Sequence, residues 1–307
     1  MCIKTDILST LTYFDLFDYP ITQTEIILFS KNIHPNVDIN HALYSLVLEK
    51  KVFTFDELYT LQDNPALIAR RRKGNAEAKK LLVKAEEIAH LLSRFPFVRG
   101  VAVSGSLSKN FADETSDIDL FIITAKNRLW IARTLMHCLK KLSFLVNKQH
   151  LLCMNYFIDE EALEIKEKNI YTATEVATLL PLRGIGAFQS FFKHNAWCKD
   201  FLPNHSMRIS YLKDIKKNFF RSCVEVCLDN FIGGMLDTAL MKLTAQRWNN
   251  KKRKGLKNSK GIIMSMDVGK HYAKPDPVGF QEKLVSMYES RIFEILNPYR
   301  KTLKPVS

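Results

Sequence analysis

No stretch of the 307 residues is apolar for long enough to span a membrane, because Lys, Asp or Asn interrupts every candidate run. The opening Met1-Cys2-Ile3-Lys4-Thr5-Asp6 has no basic segment leading into an apolar one. No secretory leader is expected, and a cytoplasmic protein is. The six cysteines (Cys2, Cys138, Cys153, Cys198, Cys223 and Cys227) form no CxxC pair and no His-Cys cluster at zinc spacing. That argues against both a disulfide framework and a structural zinc site. Cys223 and Cys227 stand one helical turn apart, where the apolar face of a helix is expected to hold them. Gly184-Ile185-Gly186 is too short for a dinucleotide fingerprint and reads as a turn. Internal repeats and low-complexity segments are absent. Aromatic residues do not alternate with the basic clusters, so a stacking platform for single-stranded nucleic acid is not expected.

What is there suits a globular chain of two or three domains, with 47% hydrophobic and 25% charged residues. The net charge of +13 suits a polyanionic ligand. Arg70-Arg71-Arg72-Lys73 and Lys251-Lys252-Arg253-Lys254 are the densest basic clusters, and Lys213, Lys216, Lys217 and Arg221 form a looser one. Each is expected on a solvated helix face or loop.

Residues 1–62 read as a small helical domain. Ile7, Leu8, Leu11, Phe14 and Phe17 recur at helical spacing, and Asp18-Tyr19-Pro20 stops that helix. Thr22-x-x-Glu25 is a capping box for a second helix, and Asp38 suits the start of a third. Val52-Phe53-Thr54-Phe55 then alternates like a strand. Three helices and a strand resemble a winged helix-turn-helix. The third helix carries no Arg or Lys in its first turns, so specific DNA binding is not expected.

A long amphipathic helix is predicted from Pro65 to about Arg94, with an interruption near Arg70–Gly74. Asn127 suits the cap of a helix carrying Trp130, a core candidate, and Arg133, which could face a nucleotide or form a surface ion pair. Beyond Ile158 the chain reads as mainly helical, with helices over 172–180, 187–202, 214–248 and 280–297. Pro181 ends the first of these, Gly233-Gly234 is expected either to kink the third or to let another helix approach closely, and 249–260 is expected to be a mobile loop.

Between residues 98 and 123 the chain changes character. Val98 and Val101–Val103 lead into a Gly105-Ser106 turn, and Asp117-Ile118-Asp119 opens a second apolar run to Ile123. Two β-branched runs around a glycine turn predict two strands. On a strand Asp117 and Asp119 share one face, about 6.5–7 Å apart, where a cation explains two like charges. Gly105, Ser106, Ser116, Asp117 and Asp119, at this loop length, resemble the signature of the nucleotidyltransferase superfamily typified by DNA polymerase β and kanamycin nucleotidyltransferase. Three positions depart from the pattern of its minimal members: Ser108 for alanine, Lys109 for arginine and Asn110 for glycine. Pro96–Arg99 before the turn also resembles a group of bacterial nucleotidyltransferase-domain proteins.

The resemblance implies an α+β chain. A small mixed β-sheet core with flanking helices would span 63–160, between the winged-helix-like domain at 1–62 and a mainly helical domain at 161–307. It implies Mg²⁺ or Mn²⁺ on Asp117 and Asp119, and an NTP held by Gly105, Ser106, Lys109 and Ser116. The superfamily's third carboxylate would fall on the strand 151–158, where Asn155 stands instead. An amide oxygen can ligate a cation but cannot act as a general base. Asp159, beyond that strand, is the other candidate base. The expected activity is transfer of a nucleoside monophosphate to a hydroxyl of a small molecule, a protein or an RNA. The alternative is a catalytically weakened nucleotide-binding or regulatory protein on the same fold.

Overall fold

The first sixty residues form helix α1 (Ile3–Asp15), strand β1 (Ile21–Thr22), helices α2 (Gln23–Phe29) and α3 (Asn36–Leu48), and strands β2 (Phe53–Phe55) and β3 (Leu58–Thr60). The three strands make an antiparallel sheet in the order β1-β3-β2. The Thr22/Glu25 capping box is formed, with Glu25 N donating to Thr22 Oγ1 at 3.2 Å and Thr22 N to the Glu25 carboxylate at 2.7 Å. Ile7, Leu11, Ile26, Ile39, Leu43 and Leu46 close the core of this unit. The computed structural model describes residues 2–114, 116–143, 153–206, 213–215, 218–256, 265–275 and 279–297. No helix among them is long and apolar enough to cross a membrane.

Helix α4 (Ala66–Ser93) runs through Arg70–Gly74 without the expected interruption. Gly74 serves close packing instead: a Cβ there would come 2.2 Å from Cε2 of Phe111. Nor is the basic cluster a solvated face throughout. Arg71 is buried and bonds the Glu25 carboxylate with both terminal nitrogens, at 2.8 and 3.0 Å. Arg70 donates to the carbonyls of Phe17 and Asp18, tying α4 to the end of α1.

Strands β4 (Val98–Val103), β5 (Asp119–Thr124) and β6 (Cys153–Asp159) follow, with the short helix α5 (Gly105–Ser108) between the first two and α6 (Leu129–Ser143) between the last two. Helix α7 (Ile170–Thr178), strand β7 (Leu180–Arg183), helices α8 (Ile185–His194), α9 (Phe219–Leu228) and α10 (Phe231–Arg253), strands β8 (Met266–Val268) and β9 (Tyr272–Pro275) and helix α11 (Phe280–Leu296) complete the described chain. A six-stranded sheet runs β7-β4-β5-β6-β9-β8, with β5 and β6 parallel and the other pairs antiparallel. The fold is therefore mixed α+β. Half of the sheet comes from beyond residue 160, in the segment expected to be mainly helical. Pro181 sits inside an edge strand, the place in a sheet where a missing N–H is tolerated.

Helices α4, α6 and α10 cover one face of the sheet, and α7 and α8 the other. The 214–248 region is two helices broken at Asp229–Asn230, not one kinked at the glycines. Asn230 caps the second by accepting from Gly233 N at 3.0 Å, and a Cβ on Gly233 would meet Leu228 O at 1.8 Å. The stretch expected as a loop is helical to Arg253, and 257–260 lie outside the described residues. Cys223 and Cys227 are exposed, contrary to the packed face expected for them.

Candidate functional site

The polar end of the β4–β5 pair is built around one glycine. Gly105 has φ +67°, and a Cβ there would come 2.8 Å from Oδ2 of Asp119. The turn needs glycine for both reasons, the left-handed backbone and the close approach. Ser104 N donates to Asp119 O at 2.9 Å, which fixes Asp119 at the first position of β5 beside the turn. The residues that depart from the family pattern have local explanations. Ser108 is buried and its hydroxyl donates to Gly105 O at 2.8 Å. Asn110 has φ +61°, a conformation asparagine tolerates better than most residues.

Asn155 reaches Asp119 from the neighbouring strand. Pairing between β5 and β6 slips between Leu120 and Phe121, so Asn155 falls in the irregularity of the ladder. Its Nδ2 donates to Asp119 Oδ1, and its Oδ1 accepts from the Cys153 thiol at 3.1 Å. Burial, with the charge of Asp119 second, pushes the Cys153 thiol up to about 11, so it stays protonated as that donor. Asp159 is the wrong carboxylate for this site. It lies at the other end of β6, opposite Thr124, about 16 Å or more along the strand from the Asp119 level. There it is fully buried, accepting from Asn127 N and Glu161 N and pairing with His271 at 3.0 Å.

Not all of the predicted phosphate-binding residues converge. Lys109 Nζ pairs with Glu175 at 2.7 Å and donates to Gly105 O at 3.1 Å. Ser106 is exposed, and its carbonyl accepts from Lys109 N and Phe111 N. Ser116 closes a turn, its Oγ accepting from Asp113 N at 2.8 Å. Asp117 is exposed just outside β5, while Asp119 is half-buried. Arg133 neither faces this site nor forms a surface ion pair. It is buried over the rings of Trp130 and Phe157, and burial lowers it to about 10.

Ser104, Gly105, Asp119 and Asn155 open onto a cavity of about 520 Å³. Its other walls come from residues that carry no recognisable motif. Helix α7 supplies Tyr171 and Glu175, β8 and β9 supply Asp267 and Lys274, and the loop before α7 supplies Glu167. Lys274 pairs with Glu167 and lies 3.6 Å from Asp267 Oδ2. Burial, with Glu175 and Asp119 adding to it, pushes the Tyr171 phenol well up, so it stays protonated and can donate a hydrogen bond into the cavity. Strand pairing from distant segments assembles these groups, and no local spacing announces them.

Among the described residues no three His, Cys, Asp or Glu side chains gather as a metal cluster. Of the two carboxylates the resemblance assigns to a cation, Asp119 lines the cavity and Asp117 is exposed beside it, and Glu167, Glu175 and Asp267 are further carboxylates of the cavity wall. The Asp117/Asp119 pair fits a Mg²⁺ that arrives with phosphate oxygens and water and needs only one or two carboxylates from the protein. It does not fit a cation held by protein alone. Residues 86–179 match the family model of the nucleotidyltransferase domain. No curated protein and no solved structure matches the chain.

Proposed function

We propose, from the match of residues 86–179 to the nucleotidyltransferase domain model, that this chain moves a nucleoside monophosphate from an NTP to a hydroxyl acceptor, with Mg²⁺ or Mn²⁺ accompanying the triphosphate. The observation that carries this reading is the bare Gly105 backbone seated against Asp119 at the mouth of a cavity. A phosphate can approach that backbone where a side chain would stand in its way. Asp117 and Asp119 would hold the divalent cation, which when bound supplies charge neutralisation on the phosphate oxygens. Asn155 orients Asp119 by hydrogen bonding and takes no proton. The acceptor, whether small molecule, protein or RNA, enters that cavity.

A second reading has its own support in Asn155. With an amide where the superfamily has its third carboxylate, a nucleotide-binding regulator of weakened turnover is the alternative. The helix-strand-helix-helix-strand-strand order of the first sixty residues supports the winged-helix reading of that unit. The exposed positions of α3 include Val37, Tyr44 and Leu48, which favours contacts other than specific DNA readout.

Titration with each NTP, with and without Mg²⁺, following binding and pyrophosphate release, tests both. Binding that needs Mg²⁺, with release on adding an acceptor, is expected. Equal affinity in EDTA and Mg²⁺ would sink the two-carboxylate cation site, and binding with no release for any acceptor would select the regulator.

A further inference from the structure

A second, smaller cavity of about 210 Å³ is lined by the Gly105–Ser106 turn. It shares Gly105, Tyr171, Glu175 and Phe280 with the larger one, so the two meet at the turn. One wall is made by the N-terminal unit, from Tyr13 and Phe17 of the α1 region and from Tyr19, together with Phe111. The opposite wall is Tyr171 and Phe280, whose rings meet edge-on at 6.0 Å.

These rings are held in place. The Tyr19 hydroxyl donates to Lys109 O at 3.3 Å, which attaches the N-terminal unit directly to the turn. Arg71 covers one face of Tyr19 at 4.6 Å, and Arg70 sits over Phe111 at 4.7 Å. Phe111 in turn rests on Gly74. Phe17 and Phe280 are the exposed lips, at 40% and 45%.

The space suits a planar ring and not a phosphate. Among the described residues that line it, the cation is Lys109, already paired with Glu175. We propose that this cleft is the nucleobase subsite, and that the N-terminal unit completes the nucleotide site. This rests on the NTP reading above and adds to it where the base goes and what the N-terminal unit contributes. Every base has a π-face, and stacking on aromatic side chains needs no hydrogen-bond code. With rings doing most of the recognition, selectivity follows ring size. ATP and GTP bind several-fold more tightly than CTP and UTP.

Calorimetric titration of the full chain with MgATP and with Mg²⁺-tripolyphosphate separates the base from the phosphates. In the wild type MgATP binds more tightly. Phe17→Ala and Phe280→Ala each weaken MgATP about tenfold, within the range of one stacking contact, and leave tripolyphosphate within about twofold. Both positions are exposed lips, and unchanged melting temperatures verify that the variants fold. Equal wild-type affinity for the two ligands overturns the subsite while leaving phosphate binding at the turn intact. So does an unchanged MgATP affinity in both variants, or a loss shared equally by both ligands. Failure of the wild type to bind either ligand overturns the nucleotide reading itself, and the subsite with it.

Discussion

Gly105 and Asp119 are separated by less than a side chain's width, and the site depends on that. Gly105→Ala places a methyl 2.8 Å from Asp119 Oδ2 on a backbone at φ +67°. It is expected to cost about 1–3 kcal/mol of stability and to abolish MgNTP binding. A normal melting temperature together with normal titration would show that the turn is not the phosphate seat. Asn155→Asp replaces a donor to Asp119 with a second carboxylate. Like charges at that distance repel, so the variant melts below wild type in EDTA, and Mg²⁺ raises its melting temperature more than it raises the wild type's. With a suitable acceptor it also gains turnover, since a positioned base contributes roughly 10²–10⁴-fold. A Mg²⁺ response equal to wild type would place the cation away from this pair. The Gly-Ser turn and Asp119 are legible in sequence because a backbone constraint and the start of a strand fix them within a short window, whereas Asp117, expected on that strand, precedes it, and Asn155 falls in an irregularity of the ladder. Glu175, Tyr171, Glu167 and Lys274 are not legible, because strand pairing and helix packing from remote segments bring them in. Lys109 illustrates the limit of motif reading: its position is local, but its partner Glu175 lies 66 residues away.

At the level of elements, helix contacts set two measurable properties. His137 on α6 is held down to about 3, first by burial and then by Arg133, Lys140, Lys141 and Lys251, the last from α10. Its folded value lies below the ordinary 6.5, so the native state binds fewer protons between the two. That contribution to stability is complete above about pH 6.5 and is lost as the pH falls toward 3. His137→Leu should flatten the decline in melting temperature between pH 7 and pH 5, a window worth about 2 kcal/mol. Parallel curves for variant and wild type would exclude His137 as the source. Arg71, the tie between α4 and α2, makes a second case. Removing one partner of a buried, hydrogen-bonded ion pair costs about 3–5 kcal/mol, so Arg71→Ala should loosen the N-terminal unit and speed proteolysis between residues 49 and 66. An unchanged cleavage rate would count against that tie. The long amphipathic helix is legible because Ala78, Ala85, Ala89 and Leu92 keep a helical period, while the interruption expected near Arg70–Gly74 does not occur. Strands β7, β8 and β9 escaped notice for the opposite reason. They are three or four residues long, and two of them contain a proline, Pro181 in β7 and Pro275 in β9.

On the scale of the whole molecule, the outer helices close the chain on itself. Leu284 of α11 belongs to the same buried cluster as Ile7 and Leu11 of α1, Tyr288 meets Tyr13 edge-on at 5.8 Å, and Arg291 pairs with Asp15 at 3.0 Å. Leu284→Ala should therefore cost about 2–5 kcal/mol and deprotect amide hydrogens in α1 as well as in α11. Deprotection confined to α11 would mean the two helices open independently. The basic charge also looks different at this scale. Arg71 and Arg221, which suggested a polyanion surface, are buried against Glu25 and Glu225, whereas Arg72 and Lys73 stay exposed and pair with Asp56 and Glu114 at the surface. The closure of α1 by α11 also has a temporal side. A ribosome adding about 5–20 residues per second takes roughly 15–50 s to travel from the end of the first helix to the start of its partner. Throughout that interval the apolar side of α1 that faces α11 is without its cover. The yield of the chain in a cell should therefore depend more on elongation rate and on chaperone supply than the stability of the finished protein would suggest.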